Sequence, residues 1–141
     1  MEIDASLERV WAVAADVPAS PVWQPALEEV ETLETDDEGR AVLVDTSSDA
    51  VVRKTKQQLR FSFDAPTAMS WTQIKGDVKS LEGSWEFIEL AAEKTKATFA
   101  LAVDPGRVLG MLVRGPVEGR VKEFLTKGAA EGLKQHVEAS G

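Results

Sequence analysis

The sequence predicts an α+β domain in which a curved antiparallel sheet of about six to seven strands covers one long C-terminal helix. Three observations carry this prediction. Apolar residues recur at helical spacing near the two ends of the chain, within residues 6–17 and 117–139. Between them, apolar and polar residues alternate, as in strands with one buried face. A length of 141 residues suits a single domain with its own core, residues 1–141.

The N-terminal part is predicted to form a short edge strand at residues 1–3, a helix over residues 6–17 and a second, shorter helix. Ser6 is the predicted N-cap of the first helix, whose apolar residues then recur every three or four positions. Proline cannot continue a helix, so three prolines end it and leave room for a short turn around Val22 and Trp23. The prolines are Pro18, Pro21 and Pro25.

Alternation with a period of two predicts the strands that follow. Residues 27–35 and 41–46 form the first two, the turn at residues 36–39 separates them, and residues 47–49 are predicted as a connection. Four further strands have their apolar residues at odd-numbered positions. These inward residues are Leu59, Phe61 and Phe63, then Met69 and Trp71, then Leu81, Gly83, Trp85 and Phe87, and finally Ala97, Phe99, Leu101 and Val103.

The period becomes helical again after Asp104. Residues 108–113 are predicted as a short apolar turn or helix, and residues 117–139 as the long helix, with Pro116 near its first turn. Its predicted inward stripe includes Gly128 and Gly132, each of which costs about 1 kcal/mol relative to alanine in an exposed helix. Either the helix approaches the sheet closely there, or the small residues leave a hollow. The stripe is Val117, Val121, Phe124, Leu125, Gly128 and Gly132.

Some polar residues share the inward parity of the apolar ones. They either lie in solvent at the open end of the sheet or supply the few polar groups of an otherwise apolar small-molecule site. These residues are Arg53, Thr55, Gln57 and Gln73.

The net charge of −8 is unevenly distributed, because residues 1–50 hold thirteen acidic and two basic side chains. An acidic protein is poorly suited to non-specific binding of nucleic acid, so no nucleic-acid partner is expected. Residues 107–127 instead contain five basic side chains, which would suit an acidic ligand, transient contact with a membrane surface or ordinary solvation. They are Arg107, Arg114, Arg120, Lys122 and Lys127.

The sequence lacks the residues that several classes of chemistry require. The chain has no cysteine and no tyrosine, and its one histidine, His136, is predicted to lie on the surface. Metal sites, nucleophile elbows, phosphate loops and dinucleotide fingerprints are therefore not predicted, and neither is a catalytic residue, metal or cofactor. No signal peptide or stretch of 18 apolar residues is found, so a cytoplasmic protein is expected.

Three sequence stretches resemble the polyketide cyclase/dehydrase and lipid-transport family, which belongs to the START-like, helix-grip superfamily and includes coenzyme Q-binding proteins. The first is IDASLERVW at residues 3–11, followed by ADV at 15–17 and WQP at 23–25. The second is MSWTQ at 69–73 with GDVKSLEGSW at 76–85, and the third is LAVDPG at 101–106. The resemblance implies that the sheet grips the C-terminal helix around an elongated apolar cavity.

The resemblance also implies, by position along the chain, which residues would line the cavity. The candidates for its lining, with the polar residues above, are Arg53, Thr55, Gln57, Phe61, Trp71, Gln73, Trp85, Phe87, Phe99, Leu101, Phe124 and Gly128. The candidates for its mouth are Trp23, Val108, Leu109, Met111 and Leu112. Packing in an ordinary core is the alternative for each of them.

The leading functional hypothesis is binding or transport of a small hydrophobic or amphipathic molecule, such as a lipid, an isoprenoid quinone or a polyketide-like compound. A second hypothesis is a polyketide aromatase/cyclase or dehydratase, which would need an ionisable group inside the cavity. The absence of tyrosine argues against that activity. A third is a non-enzymatic interaction module whose cavity is filled by its own side chains.

Overall fold

The structure is a computed structural model that describes residues 1–25, 27–49, 54–104 and 116–139. Side chains are described for these residues except 49 and 116–126. The predicted turn or helix at 108–113 lies outside the described residues.

Two helical elements follow the first strand, as predicted. Helix α1 spans Leu7–Ala15, and the Ser6 hydroxyl accepts a hydrogen bond from the Arg9 backbone N–H at 3.3 Å, which confirms the N-cap. The helix ends two residues before the predicted boundary, because the backbone of Asp16 (φ −81°, ψ 74°) leaves the helical region. A 3₁₀ helix over Val17–Val22 follows and ends at Trp23.

Seven antiparallel strands form one sheet among the described residues. Strands β2 to β7 each lie beside the next in sequence, and β1 pairs with β7 at the other edge, giving the order β1-β7-β6-β5-β4-β3-β2. The strands are β1 (Glu2–Ile3), β2 (Leu27–Thr35), β3 (Ala41–Asp49), β4 (Lys54–Asp64), β5 (Ala68–Gly76), β6 (Ser80–Ala91) and β7 (Lys94–Asp104).

The prediction of a connection at residues 47–49 is wrong, because these residues belong to β3. Ser48 pairs with Thr55 of β4, and Asp49 pairs with Lys54. Serine and aspartate are weak strand formers, but pairing with a neighbouring strand overrides that preference.

Odd-numbered residues of β4 to β7 face the core, as the alternation predicts. Leu59, Met69, Trp85 and Ala97, one from each strand, are all buried. The long helix, α2 (Pro116–Ala139), lies against this inner face of the sheet. Within residues 127–139, where its side chains are described, the buried residues are Ala129, Leu133 and Val137, with Ala129 and Leu133 each one position beyond the predicted Gly128 and Gly132.

The two glycines of that stripe pack instead on the segment that follows the 3₁₀ helix. A Cβ built on Gly132 would overlap the backbone carbonyl oxygen of Trp23, whereas one built on Gly128 would lie 3.4 Å from Pro25 Cγ. Close approach therefore accounts for Gly132. The partner is the backbone of Trp23 rather than the sheet.

The C-terminal end of α2 is anchored to the start of the chain. The Asp4 backbone N–H donates to Glu138 Oε2 at 2.9 Å, and Lys134 Nζ donates to the same oxygen at 2.6 Å. Arg9 adds a hydrogen bond to the Val137 carbonyl at 2.7 Å. This network holds α2 against β1 and α1.

Acid should weaken this anchor. The hydrogen bond from the Asp4 N–H, followed by that from Lys134, lowers the pKa of Glu138. A carboxyl with a lowered pKa stabilises the fold above its unfolded pKa, and this stabilisation is lost as pH falls through the folded pKa. In urea titrations across that window, we expect the stability difference between wild type and Glu138→Gln to shrink as pH falls. Glu131→Gln, an exposed change on the same helix, is the control, and an equal response in both variants would contradict the assignment.

Candidate functional site

Seven aromatic side chains, six on the inner face of the sheet and Trp11 on α1, form a closed circuit of contacts, here called the aromatic belt. Neighbouring ring centroids are separated by 4.7 Å (Trp85 to Phe99) to 6.3 Å (Trp11 to Phe63). These are the separations of stacked and edge-to-face aromatic pairs. In order around the circuit, the belt is Trp11, Phe63, Phe61, Trp71, Phe99, Trp85 and Phe87.

The sheet register produces this belt. Phe61 is paired directly with Trp71, and Trp85 with Phe99, so large side chains of neighbouring strands meet on the same face. Trp23, which follows the 3₁₀ helix, adds an eighth aromatic side chain through its contact with Trp85 at 6.1 Å. The inner face therefore offers a continuous aromatic surface.

A glycine makes room for one member of the belt. Gly83 of β6 is paired with Trp71 of β5, and the Trp71 indole occupies the space where a Cβ on Gly83 would lie. This close approach lets the indole lie across the neighbouring strand.

Uncharged polar side chains continue the inner face beyond the belt, toward the first residues of β4. Thr46, Thr55 and Gln57 are each no more than 5% exposed. Ser48 is paired with Thr55, and Thr46 with Gln57. The Thr46 hydroxyl donates to the Gln57 backbone carbonyl at 3.2 Å, and the Ser48 hydroxyl donates to Gln57 Oε1 at 3.4 Å.

Gln73 joins this group through an irregularity in β5. Leu59 is paired with Gln73 and Gln57 with Gly76, so β5 has one extra residue between these two pairs. The Gln73 side chain folds over Gly76 and donates from Nε2 to the Val78 carbonyl at 2.9 Å. Its Oε1 is buried and has no hydrogen-bond partner among the described residues. We call Thr46, Ser48, Thr55, Gln57 and Gln73 the polar cluster.

The buried polar residues are all uncharged in the part of the chain that the structure describes. They are Ser20, Thr46, Thr55, Gln57 and Thr95. Such side chains can orient a ligand by hydrogen bonding, but they cannot supply a general acid or base near neutral pH.

Open clefts lie beside these features. One of about 860 Å³ is lined largely by parts of β2 to β5, and half of its lining residues are charged, among them Glu29, Lys56 and Asp77. Another of about 330 Å³ lies between α1 and the β2–β3 hairpin, where Arg40 stacks on the Phe63 ring at 5.0 Å. No triad of metal-ligating side chains and no helix able to cross a membrane occurs within the described ranges.

The sequence profile of the polyketide cyclase/dehydrase and lipid transport family matches residues 3–127. The chain belongs to this family. The match spans the strands and much of α2, and it confirms the resemblance drawn from the sequence. No curated protein matches the chain.

Solved structures of other proteins have the same fold as this polyketide cyclase/dehydrase family member. A START superfamily protein from Mycobacterium smegmatis is 19% identical over 100% of this chain and 95% of its own, with a TM-score of 0.86. A protein from Thermus thermophilus is 20% identical over 100% and 95%, with a TM-score of 0.84. The Zhui aromatase/cyclase from Streptomyces sp. R1128 is 19% identical over 98% and 90%, with a TM-score of 0.72. These similarities confirm the predicted helix-grip fold.

Most of the predicted site residues that are described in this family member lie on the inner face. Phe61, Trp71, Trp85, Phe87 and Phe99 belong to the belt, and Thr55, Gln57 and Gln73 to the polar cluster. Leu101 is half-buried and paired with Gly83. Gly128 packs on Pro25, and Trp23, predicted at the mouth, is buried beside Trp85. Arg53, Val108, Leu109, Met111, Leu112 and the Phe124 side chain lie outside the described residues.

Sequence reasoning missed four residues of this surface. Trp11 and Phe63 both carried a signal, since each lies on the inward side of its own element. Thr46 and Ser48 carried none, because they face inward only through their pairing with Gln57 and Thr55, which depends on register.

Proposed function

We propose that this protein binds a small hydrophobic or amphipathic molecule on the inner face of its sheet. The apolar part of the ligand lies on the aromatic belt, and its polar group contacts the polar cluster. One observation carries the proposal: a continuous aromatic surface ends in a group of buried, uncharged hydrogen-bonding side chains. Ligand sites commonly combine a mostly apolar lining with a few polar groups.

Membership of a family described by both polyketide cyclisation and lipid transport is consistent with this proposal. The side chains favour binding over catalysis, because the buried polar groups among the described residues are not ionisable. The half-buried belt residues Phe61 and Phe99 are the best candidates for direct contact, since they retain accessible surface. Trp85 and Phe87 form the support behind them.

Native protein should retain an apolar compound or bind an apolar dye. Solvent extraction and mass spectrometry, beside a mock purification, should give a near-stoichiometric lipid, quinone or polyketide-like compound. Emptied protein should enhance the emission of Nile red, a neutral dye. Phe99→Ala should weaken Nile red binding about tenfold by removing apolar contact surface.

Ile88→Ala is the matched control, because Ile88 is apolar but lies exposed on the neighbouring strand β6. It should leave Nile red binding unchanged. A protein that yields no compound and leaves Nile red emission unchanged would show that the proposal is wrong.

A further inference from the structure

The two glutamine side chains of the polar cluster present complementary atoms. Gln57 Oε1 accepts from the Ser48 hydroxyl at 3.4 Å, and the Thr46 hydroxyl lies 3.5 Å away, so Oε1 faces these two hydroxyls. Its Nε2 group donates to none of the described residues, so it remains a hydrogen-bond donor. Gln73 is oriented the other way, with Nε2 bonded to the Val78 carbonyl and Oε1 remaining as an acceptor.

These two side chains lie close together across the sheet. Gly76 is paired with Gln57, and a Cβ built on Gly76 would lie 2.5 Å from Gln73 Oε1 and 2.9 Å from Gln57 Cα. Gln73 Oε1 therefore occupies the space above Gly76, next to the backbone of Gln57. Among the described residues, one donor and one unpartnered, buried acceptor therefore lie in the same small region.

The charges of this region disfavour an anion. The polar cluster has no charged member, and Gln73 Oε1 would repel a carboxylate. Around the same strand ends, the lining of the 860 Å³ cleft has five acidic residues (Glu28, Glu29, Glu31, Asp45 and Asp77) and two basic residues (Lys56 and Lys75). A carboxylate or phosphate buried here would lose its hydration without a cation among the described residues of the cluster to replace it.

We propose that the polar cluster selects a ligand with a neutral hydroxyl group, which accepts a hydrogen bond from Gln57 Nε2 and donates one to Gln73 Oε1. A hydroxyl is the smallest group that both donates and accepts, so it satisfies both carboxamides at once. It also pairs the buried Gln73 Oε1, which has no partner within the described part of the chain, and pairing such an atom on binding is favourable. This inference rests on the proposed binding function and specifies the class of ligand as a long-chain or polycyclic alcohol.

A series of probes with one alkyl chain and different head groups tests the proposal on the unmodified protein. The probes are 1-dodecanol, dodecyl methyl ether, which accepts but does not donate, and dodecanoate at pH 8. Each is titrated against bound Nile red. Dodecanol should bind about tenfold tighter than the ether, which loses one hydrogen bond, and at least tenfold tighter than dodecanoate.

Variants then assign the selectivity to its residues. Gln73→Leu should remove the preference for dodecanol over the ether while leaving affinity for the ether within about threefold, because only dodecanol donates to Gln73 Oε1. Gln57→Leu removes the donor that both probes use, so it should weaken both about equally and keep the preference. Gln58→Leu is the matched control, since Gln58 lies on β4 beside Gln57 but bonds to Asp45 on the outer face. It should retain the full preference. If either inner variant fails to fold, the wild-type series still decides the ligand class.

The outcomes separate this inference from the proposed function. If the ether or dodecanoate binds as well as dodecanol, hydroxyl selection is wrong while apolar binding stands. A preference for dodecanoate would indicate a cation outside the described residues, such as Arg53. A preference for dodecanol that survives Gln73→Leu would overturn the assignment to Gln73, and unchanged affinity of Gln57→Leu for both probes would overturn the assignment to Gln57. Binding of no probe, with no extracted compound, would overturn both proposals.

Discussion

Replacing Gly132 with alanine should lower the free energy of unfolding by about 2–4 kcal/mol, although alanine is the better helix former by about 1 kcal/mol. The added methyl group would overlap the Trp23 carbonyl oxygen and lie 3.1 Å from the carbonyl carbon. Both are backbone atoms that cannot rotate away, and Trp23 itself is buried against Trp85. The helix or the Trp23–Pro25 segment would have to move, at the cost of packing.

Gly128→Ala is the matched control, one turn earlier on α2. Its methyl group would make an ordinary contact with Pro25 Cγ at 3.4 Å, so the gain in helix propensity should dominate. We expect its free energy of unfolding to rise by as much as about 1 kcal/mol. Urea denaturation followed by circular dichroism measures both variants. If the two changes shift stability in the same direction, close contact with Trp23 does not explain Gly132.

Trp85→Ala should lower the free energy of unfolding by about 3–5 kcal/mol, the range for deleting a large buried aromatic side chain. Trp85 is 2% exposed and contacts Trp23, Phe87 and Phe99. Its removal would break the aromatic belt at the point where Trp23 joins it. The resulting cavity would be too large for neighbouring side chains to fill without rearrangement.

Trp11→Ala serves as the comparison, because Trp11 is half-buried on α1 and makes two edge-to-face contacts in the same belt. We expect a loss below about 3 kcal/mol, since less of its surface is removed from water. Chemical denaturation of both variants gives the comparison. Equal losses would mean that the belt does not have a buried, supporting side and a more accessible side, as described above.

The sequence predicted the fold well where local pattern determines structure. Alternation placed Phe61, Trp71, Trp85 and Phe99 on one face, because successive side chains of a strand point in opposite directions. The Ser6 cap and the prolines set the limits of α1 for similarly local reasons. Ser47, Ser48 and Asp49 were predicted wrongly, since only their pairing with the neighbouring strands makes them a strand.

The candidate site was harder to predict, because it depends on which strands lie side by side. Thr55, Gln57 and Gln73 were identified as inward polar residues, but the alternation alone could not decide between burial in a site and exposure to solvent at the open end of the sheet. Burial of Thr55 and Gln57 became evident only with Thr46 and Ser48 opposite them. Likewise, the sequence could not decide whether Gly132 marks a close approach of the helix or a hollow, because its partner, Trp23, is distant in sequence.

The contact between Gly83 and Trp71 has a consequence for how this sequence can vary. The indole occupies the space of a side chain on the opposite strand, so the two positions share one fixed volume. A larger residue at 83 is tolerated only together with a smaller one at 71, because dense interiors accept exchanges that conserve volume. The pair should therefore be inherited as a unit, with either single change selected against.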